Sequence, residues 1–212
     1  MAKRLLIVTA VKAEADAIAA ISNAKVVIGG IGRTNAAAAT TQAILEDGPF
    51  DLVINAGVAG SLPGSGVEIT QAVLASKCIY FEEGVITPSG FSDMDALGFS
   101  LGNFPGNCVP VDDNTYSILR DQFVCGPIAT VATCSGSDDA AMEVVKRTGA
   151  IAEAMEGAAV VHAAARLGIG AIELRAISNT TGDRKKQQWQ LEEALNALGK
   201  AVKTATNAIS HS

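Results

Sequence analysis

Short apolar runs rich in β-branched residues recur along this chain, each followed within a few positions by glycine and alanine, and this recurrence narrows the fold more than any other feature. Arg4–Ala10 (RLLIVTA), Lys25–Ile28 (KVVI) and Asp51–Asn55 (DLVIN) are three such runs. Continuous apolar runs of this length read as strands buried on both faces, the signature of a parallel sheet covered by helices. Between the second and third, Thr34–Glu46 (TNAAAATTQAILE) predicts a helix, capped by Thr34 or Asn35 and stopped by Gly48-Pro49. The result is a β-α-β unit with a glycine-rich entry.

The alternation continues. A strand is expected over Val67–Ser76, then a long loop over Tyr80–Pro110 crowded with Gly, Pro, Ser and Asp. Strand, helix, strand, helix, strand follow at Ile128–Cys134, Asp138–Arg147, Ile151–Met155, Gly157–Leu167 and Ala171–Ser178. A closing helix carries Leu191, Leu195, Leu198, Val202, Ala205 and Ile209 at spacings of four and three, one apolar stripe for the sheet. No repeat or linker interrupts the pattern. The expected fold is a single-domain, three-layer α/β/α structure over residues 1–212, built on a central mixed, largely parallel sheet.

Composition excludes several classes. With 212 residues the chain can bury a full core without disulfides or metals. Its net charge of −6 and thinly spread 16 Lys+Arg form no basic stripe, which disfavours nucleic acid and anionic membranes as partners. Lys12, Glu14 and Asp16 interrupt the N-terminal apolar run before a signal core or membrane span is complete, so a cytoplasmic location is expected. Cys78, Cys108, Cys125 and Cys134 lack metal-binding or disulfide spacing and read as buried thiols. No metal or cofactor is called for.

Chemistry concentrates where strands end, the edge at which open α/β sheets bind ligands. Gly29–Asn35 (GGIGRTN) opens a helix, so its backbone N–H groups can meet an anion or a hydroxyl. Asn35 stands where a dinucleotide fingerprint requires its third glycine, which leaves nicotinamide binding a runner-up. Asn55–Ser61 (NAGVAGS) reads as a second turn; Gly57, Val58 and Ala59 permit close approach of a ligand, or simply make a tight turn. Glu14 follows the first strand and is either a general base or a solvated helix residue. Glu156 enters an Ala-rich helix with no room for a charge, as a helix N-terminal carboxylate or as a site. Arg175 lies in an apolar strand beside Glu173, implying an internal ion pair, a site, or an outward-facing alternation. His162 reads as packing and His211 as part of a terminus.

Taken together, Glu14, GGIGRTNAA, INAGVAGSL, EAMEGAAVVHAA and ELRAISNTTGDR stand in the order and spacing of the nucleoside phosphorylase and nucleosidase superfamily, which the chain resembles over nearly its whole length. Within it, AMEGAA, RAISNTTGDR followed by Trp189, and TPSGFSDMDALGF are more similar to the futalosine-cleaving branch than to the methylthioadenosine nucleosidases. The resemblance implies that Glu14 activates water, that Met155 and Glu156 hold the ribose hydroxyls, and that Asn179 faces the purine. It implies that Gly57, Val58, Ala59, Phe91, Arg175 and Asp183 line the substrate site. A neutral amide at Asn179 can donate to O6 and accept from a protonated N7, which suits hypoxanthine rather than adenine. The implied reaction is hydrolysis of futalosine to hypoxanthine and dehypoxanthine futalosine in menaquinone biosynthesis, with water or Asp183 protonating N7. Phosphorolysis, adenine-nucleoside hydrolysis and a non-catalytic purine-nucleoside binding protein are the alternatives. Val58 replaces the serine usual in adenine-cleaving relatives and offers phosphate no hydroxyl. The loop with Phe91, Leu97 and Phe99 resembles the segment that reaches a neighbouring subunit, implying a homo-oligomer, dimer or larger.

Overall fold

A computed structural model describes residues 3–18 and 21–210; His211 lies outside them. Each expected run of β-branched residues forms a strand. The order is β1 (Leu5–Thr9), α1 (Lys12–Ala17), β2 (Ala24–Ile28), α2 (Arg33–Asp47), β3 (Leu52–Ser61), β4 (Ala72–Tyr80), β5 (Gly84–Thr87) and β6 (Gly90–Asp93). Then come β7 (Cys108–Pro110), α3 (Asp113–Leu119), β8 (Val124–Thr130), α4 (Asp138–Thr148), β9 (Ala152–Ala154), α5 (Gly157–Arg166), β10 (Ala171–Thr180) and α6 (Leu191–Ser210).

The main sheet runs β10-β4-β8-β9-β3-β1-β2, with β7 added to β4. It is mixed: β1 pairs in parallel with β2 and β3, and β10 with β3, while β10–β4 and β3–β9 are antiparallel. β3 is long enough to serve several neighbours. Its first half pairs with β1, its last two residues pair with β9, and β10 follows it from Val53 to Ser61. Because β10 also pairs with β4, strands β10, β4, β8, β9 and β3 close on themselves. That closure brings β9 and β10 to either side of the end of β3, where the candidate site lies.

Helices form two groups, α2 with α5 and α1 with α3 and α6, covering the sheet as the sandwich expected from the sequence. α5 is buried at seven of its ten positions, which its Ala-rich composition permits by allowing close approach to the strands. α4 starts on Ser137, whose side chain accepts from Ala140 N at 3.3 Å, and ends on Gly149 with φ 64°, the left-handed conformation that a glycine adopts without strain. The stripe of α6 begins one turn later than expected. Ala194, Leu198, Ala201, Val202, Ala205 and Ile209 are buried, whereas Leu191 is exposed.

Other boundaries also move. Val67–Thr70 is not strand: Gly66 and Thr70 have φ of 71° and 73°, which breaks the extended backbone, so β4 starts at Ala72. The segment expected as a turn, Asn55–Ser61, continues β3, because small residues there let three strands and the side chains above them approach. The long loop holds the β5–β6 hairpin. Only Cys78 is a buried thiol; Cys108 and Cys125 are half-buried and Cys134 is exposed. Among the described residues no helix is long and apolar enough to cross a membrane.

Candidate active site

Glu14 sits in the first turns of α1, yet it is 3% exposed, unlike its solvated neighbour Asp16. Its carboxylate is turned back under the strand ends. Oε2 accepts from Ala10 N at 2.8 Å and Val11 N at 3.2 Å, and Oε1 accepts from Val58 N at 2.9 Å. Three backbone donors offset much of the cost of burying the charge. The solvated-helix reading of Glu14 is thereby set aside.

Glu156 is the N-cap residue of α5 and is also buried. Its Oε1 accepts from Gly32 N at 3.0 Å and its Oε2 from Arg175 Nη2 at 3.3 Å. The glycine-rich entry to α2 therefore offers an N–H to an anion, and the anion is the protein's own carboxylate. Gly32 has φ 90°, which a side chain would oppose.

Arg175 is the hub. Fully buried, its guanidinium pairs with Glu173 Oε1 at 2.8 Å and Glu156 at 3.3 Å, and it also donates to Asn55 Oδ1 and Val58 O. Burial works against its charge, but Glu173, Glu156 and Glu14 outweigh that and raise its pKa. An uncompensated charge here would cost several kcal/mol, so the arginine and its carboxylates stand or fall together. Gly57, the register partner of Arg175, leaves the space that this cluster fills: a Cβ there would strike Arg175 Nη1 and lie 2.6 Å from Glu14 Oε1.

Asn179 lies four residues along β10, at a register shift that pairs it with Gly60. Its Oδ1 accepts from Ser178 Oγ at 2.9 Å and its Nδ2 donates to Thr180 O at 2.9 Å, which leaves one N–H and one lone pair for a ligand. The chain after β10 folds back over it. Trp189 bridges Asn179, and Gln187 Nε2 donates to Ser135 O at 3.0 Å, enclosing a pocket of about 300 Å³. This is the small end of ligand pockets, suited to one heterocycle. Gly60, Cys134, Ser135, Glu153, Asn179, Arg184, Gln187 and Trp189 line it.

Not every expected residue gathers here. Met155 packs half-buried against Leu62, Val131 and Val144, next to Glu156 in sequence, and Ala59 is buried in β3. Asp183 lies apart from the Asn179 pocket lining: its carboxylate accepts from Lys185 N at 3.0 Å and pairs with Lys186 at 3.4 Å. Those bonds hold its pKa below the usual carboxylate range, which makes it a poor proton donor. Phe91 is also placed elsewhere, stacked 3.6 Å beneath the Arg147 guanidinium in a larger cleft of about 690 Å³. None of Glu14, Glu156 or Asn179 lines that cleft. Arg33 is engaged by Glu82 and Glu83 at 3.3 and 2.9 Å. His162 packs edge-on against Phe104 at 5.0 Å, with its pKa lowered by burial. Sequence reading passed over Asn55, Ser135 and Glu153. The signal available for Glu153 was an acid inside an otherwise apolar strand, the same signal that singled out Arg175.

Comparison with known proteins gives the family and the fold. Residues 17–212 match the model of the phosphorylase superfamily. The chain is 32% identical to a futalosine hydrolase of Streptomyces coelicolor, over 93% of both chains. It is 35% identical to a futalosine hydrolase of Acidothermus cellulolyticus, over 93% of this chain and 88% of that one. Among solved structures, a mutant of Helicobacter pylori MTAN with 5'-methylthioadenosine in its active site superposes with a TM-score of 0.79 at 21% identity, covering 98% of this chain and 99% of the other.

Proposed function

The chain belongs to the phosphorylase superfamily, and from that premise we propose that it is an N-glycosyl hydrolase that cleaves futalosine to hypoxanthine and dehypoxanthine futalosine, a step of menaquinone biosynthesis. The observation that carries the reaction is the cluster over Gly57, where Arg175 is paired with Glu156 and lies beside a buried, backbone-held Glu14. The substrate rests on the relatives, which match this chain along almost its whole length.

Glycoside cleavage passes through a ribosyl cation of oxocarbenium character, so an enzyme must hold the sugar, place water and stabilise the departing base. In this reading Glu156 accepts hydrogen bonds from the ribose 2′ and 3′ hydroxyls on the lone pairs that Gly32 and Arg175 leave free. Glu14 takes a proton from the attacking water, positioned by Ala10, Val11 and Val58. Asn179 donates to O6 and accepts from N7–H of the departing hypoxanthine. Solvent water supplies the N7 proton, since Asp183 is kept ionised and away from the pocket. Met155, Gly57, Val58 and Ala59 shape the sugar side.

Phosphorolysis needs free arginines and a hydroxyl for phosphate. Here Arg33 is tied to two glutamates, Arg175 is enclosed by carboxylates, and Val58 has no hydroxyl. The working form is read as a cytoplasmic homo-oligomer in which the loop with Phe91, Leu97 and Phe99 meets a second copy. Ile86 and Phe99, 83% and 68% exposed, supply apolar surface for that contact.

The test is base release from futalosine and from methylthioadenosine by the purified protein. Futalosine is expected to be the better substrate by kcat/KM, and Asn179→Asp to reduce that preference by tenfold or more, since unpaired polar groups penalise the wrong base. Preference for methylthioadenosine would overturn the substrate assignment, and an unchanged preference in the variant would overturn the role of Asn179.

A further inference from the structure

The first turn of α5 is capped in an unusual way. The first N–H groups of a helix have no partner within it, and the residue in the N-cap slot ordinarily supplies one by accepting from the N–H two or three positions on. In α5 that slot is held by Glu156, whose side chain makes no such bond. Its two oxygens are turned instead to Gly32 N at 3.0 Å and Arg175 Nη2 at 3.3 Å. Ala158 N, two positions on, is answered from another element: Thr130 Oγ1 accepts from it at 2.8 Å. Ala159 N and Val160 N donate to Glu156 O at 2.9 and 3.1 Å.

Thr130 is the last residue of β8 and is fully buried, as is Ala158. Strand register holds it from both sides, against Tyr80 of β4 and Ala154 of β9, and Val131 N after it donates to Ala154 O at 2.8 Å. Ala154 stands two residues before Glu156, so the ladder that leads into the site also fixes the hydroxyl that caps the helix. At such burial water does not replace the Thr130 bond, and an N–H left without a partner is costly. Without the hydroxyl, the acceptor that capping would recruit is the Glu156 carboxylate, which the positive end of the helix dipole also attracts. A carboxylate turned to its own helix is withdrawn from the sugar.

We propose that Thr130 is a positioning residue for ribose recognition: by capping α5 from β8, its hydroxyl leaves the Glu156 carboxylate free to accept from the 2′ and 3′ hydroxyls of the sugar. This rests on the reading of Glu156 as the residue that holds the ribose. Thr130 acts through Glu156 alone, so its loss has a selective consequence. Discrimination between a ribose and a 2′-deoxyribose weakens, whereas a simple loss of helix stability lowers turnover of both sugars alike.

The experiment measures kcat/KM for futalosine and for its 2′-deoxy counterpart in the unaltered protein and in Thr130→Val, Thr130→Ala, Thr130→Ser and Glu156→Gln. A hydrogen bond to a charged group is worth roughly tenfold to a hundredfold in such a ratio. Thr130→Val, which keeps the shape and removes the hydroxyl, is expected to lose at least about tenfold on the ribose substrate and less than about threefold on the 2′-deoxy one. Thr130→Ser keeps the hydroxyl and should preserve the ratio, while Thr130→Ala should follow the valine variant; this pair decides the matter if the valine variant does not fold. Equal losses on both sugars overturn the proposal, as does a serine variant no better than the alanine one. In a Glu156→Gln background Thr130→Val should shift the ratio no further, because both changes act through one carboxylate, and an additive shift overturns the proposal. If Glu156→Gln itself leaves the ratio unchanged, the reading of Glu156 beneath fails. If Glu156→Gln collapses the ratio and the hydroxyl-free variants do not, this proposal alone fails.

Discussion

Glu14 and Glu153 are both buried carboxylates, yet their settings differ. Glu14 receives three backbone N–H bonds and lies against Arg175, so it is held as an anion at a fixed position. Glu14→Gln keeps the shape and removes the base; turnover should fall by about 10²- to 10⁴-fold while hypoxanthine affinity changes little. A normal rate in single-turnover measurements would remove Glu14 from the chemistry. Glu153 forms no ion pair among the described residues, and burial raises its pKa. The folded protein therefore binds this proton more tightly than the unfolded chain, so stability is lost as pH rises from the ordinary carboxylate value, about 4.3, through the raised one. Glu153→Gln removes that loss. Its melting temperature relative to the unaltered protein should rise between about pH 4 and pH 8, and a difference that stays flat or shrinks would contradict the burial argument.

At this scale the sequence was readable where a charge interrupted an apolar pattern. Glu14, Glu156 and Arg175 stood out that way, although each alone fitted a bland alternative. The pair of Arg175 with Glu173, two residues away, was one of the readings the strand offered; what could not be read was its pairing with Glu156, from another element. Asp183 followed Asn179 closely in sequence and was expected beside it; the turn after β10 directs its carboxylate to Lys185 and Lys186 instead.

Among elements, β3 does the most positioning. The sequence marks its first half clearly, but Ala56–Ser61 has too little side-chain bulk to look like a strand, and bulk is absent because β9, β10 and the Arg175 cluster crowd it. Gly57 is the sharpest case. Gly57→Ala would push on Arg175 and Glu14 together, and a displacement near 1 Å at reacting groups costs about a hundredfold in rate. Overpacking a core position costs about 1–3 kcal/mol, so activity should suffer more than folding. Urea denaturation beside kcat/KM checks this; a fully active Gly57→Ala would show that the space over Gly57 is not needed. The helices were legible from periodicity and from the stop of α2 at Gly48-Pro49, a local signal, whereas α2 starts on Gly32 rather than on Thr34 or Asn35. β4 was misplaced because the left-handed turn at Thr70 leaves no mark in composition.

For the whole molecule, closure of β10, β4, β8, β9 and β3 is what converts separate strand ends into one site, bringing Glu153, Gly60 and Asn179 into a row. No periodicity predicts that closure, since it depends on β10 pairing at both edges over long sequence separations. The layered α/β architecture, by contrast, followed from alternating strand and helix patterns. The central claim is that this architecture delivers water, rather than phosphate, to the ribosyl carbon. Turnover of futalosine in H₂¹⁸O with phosphate present, followed by mass spectrometry of the sugar product, tests it directly. The account predicts a free sugar carrying one ¹⁸O at the anomeric position; a sugar 1-phosphate as the primary product would contradict it.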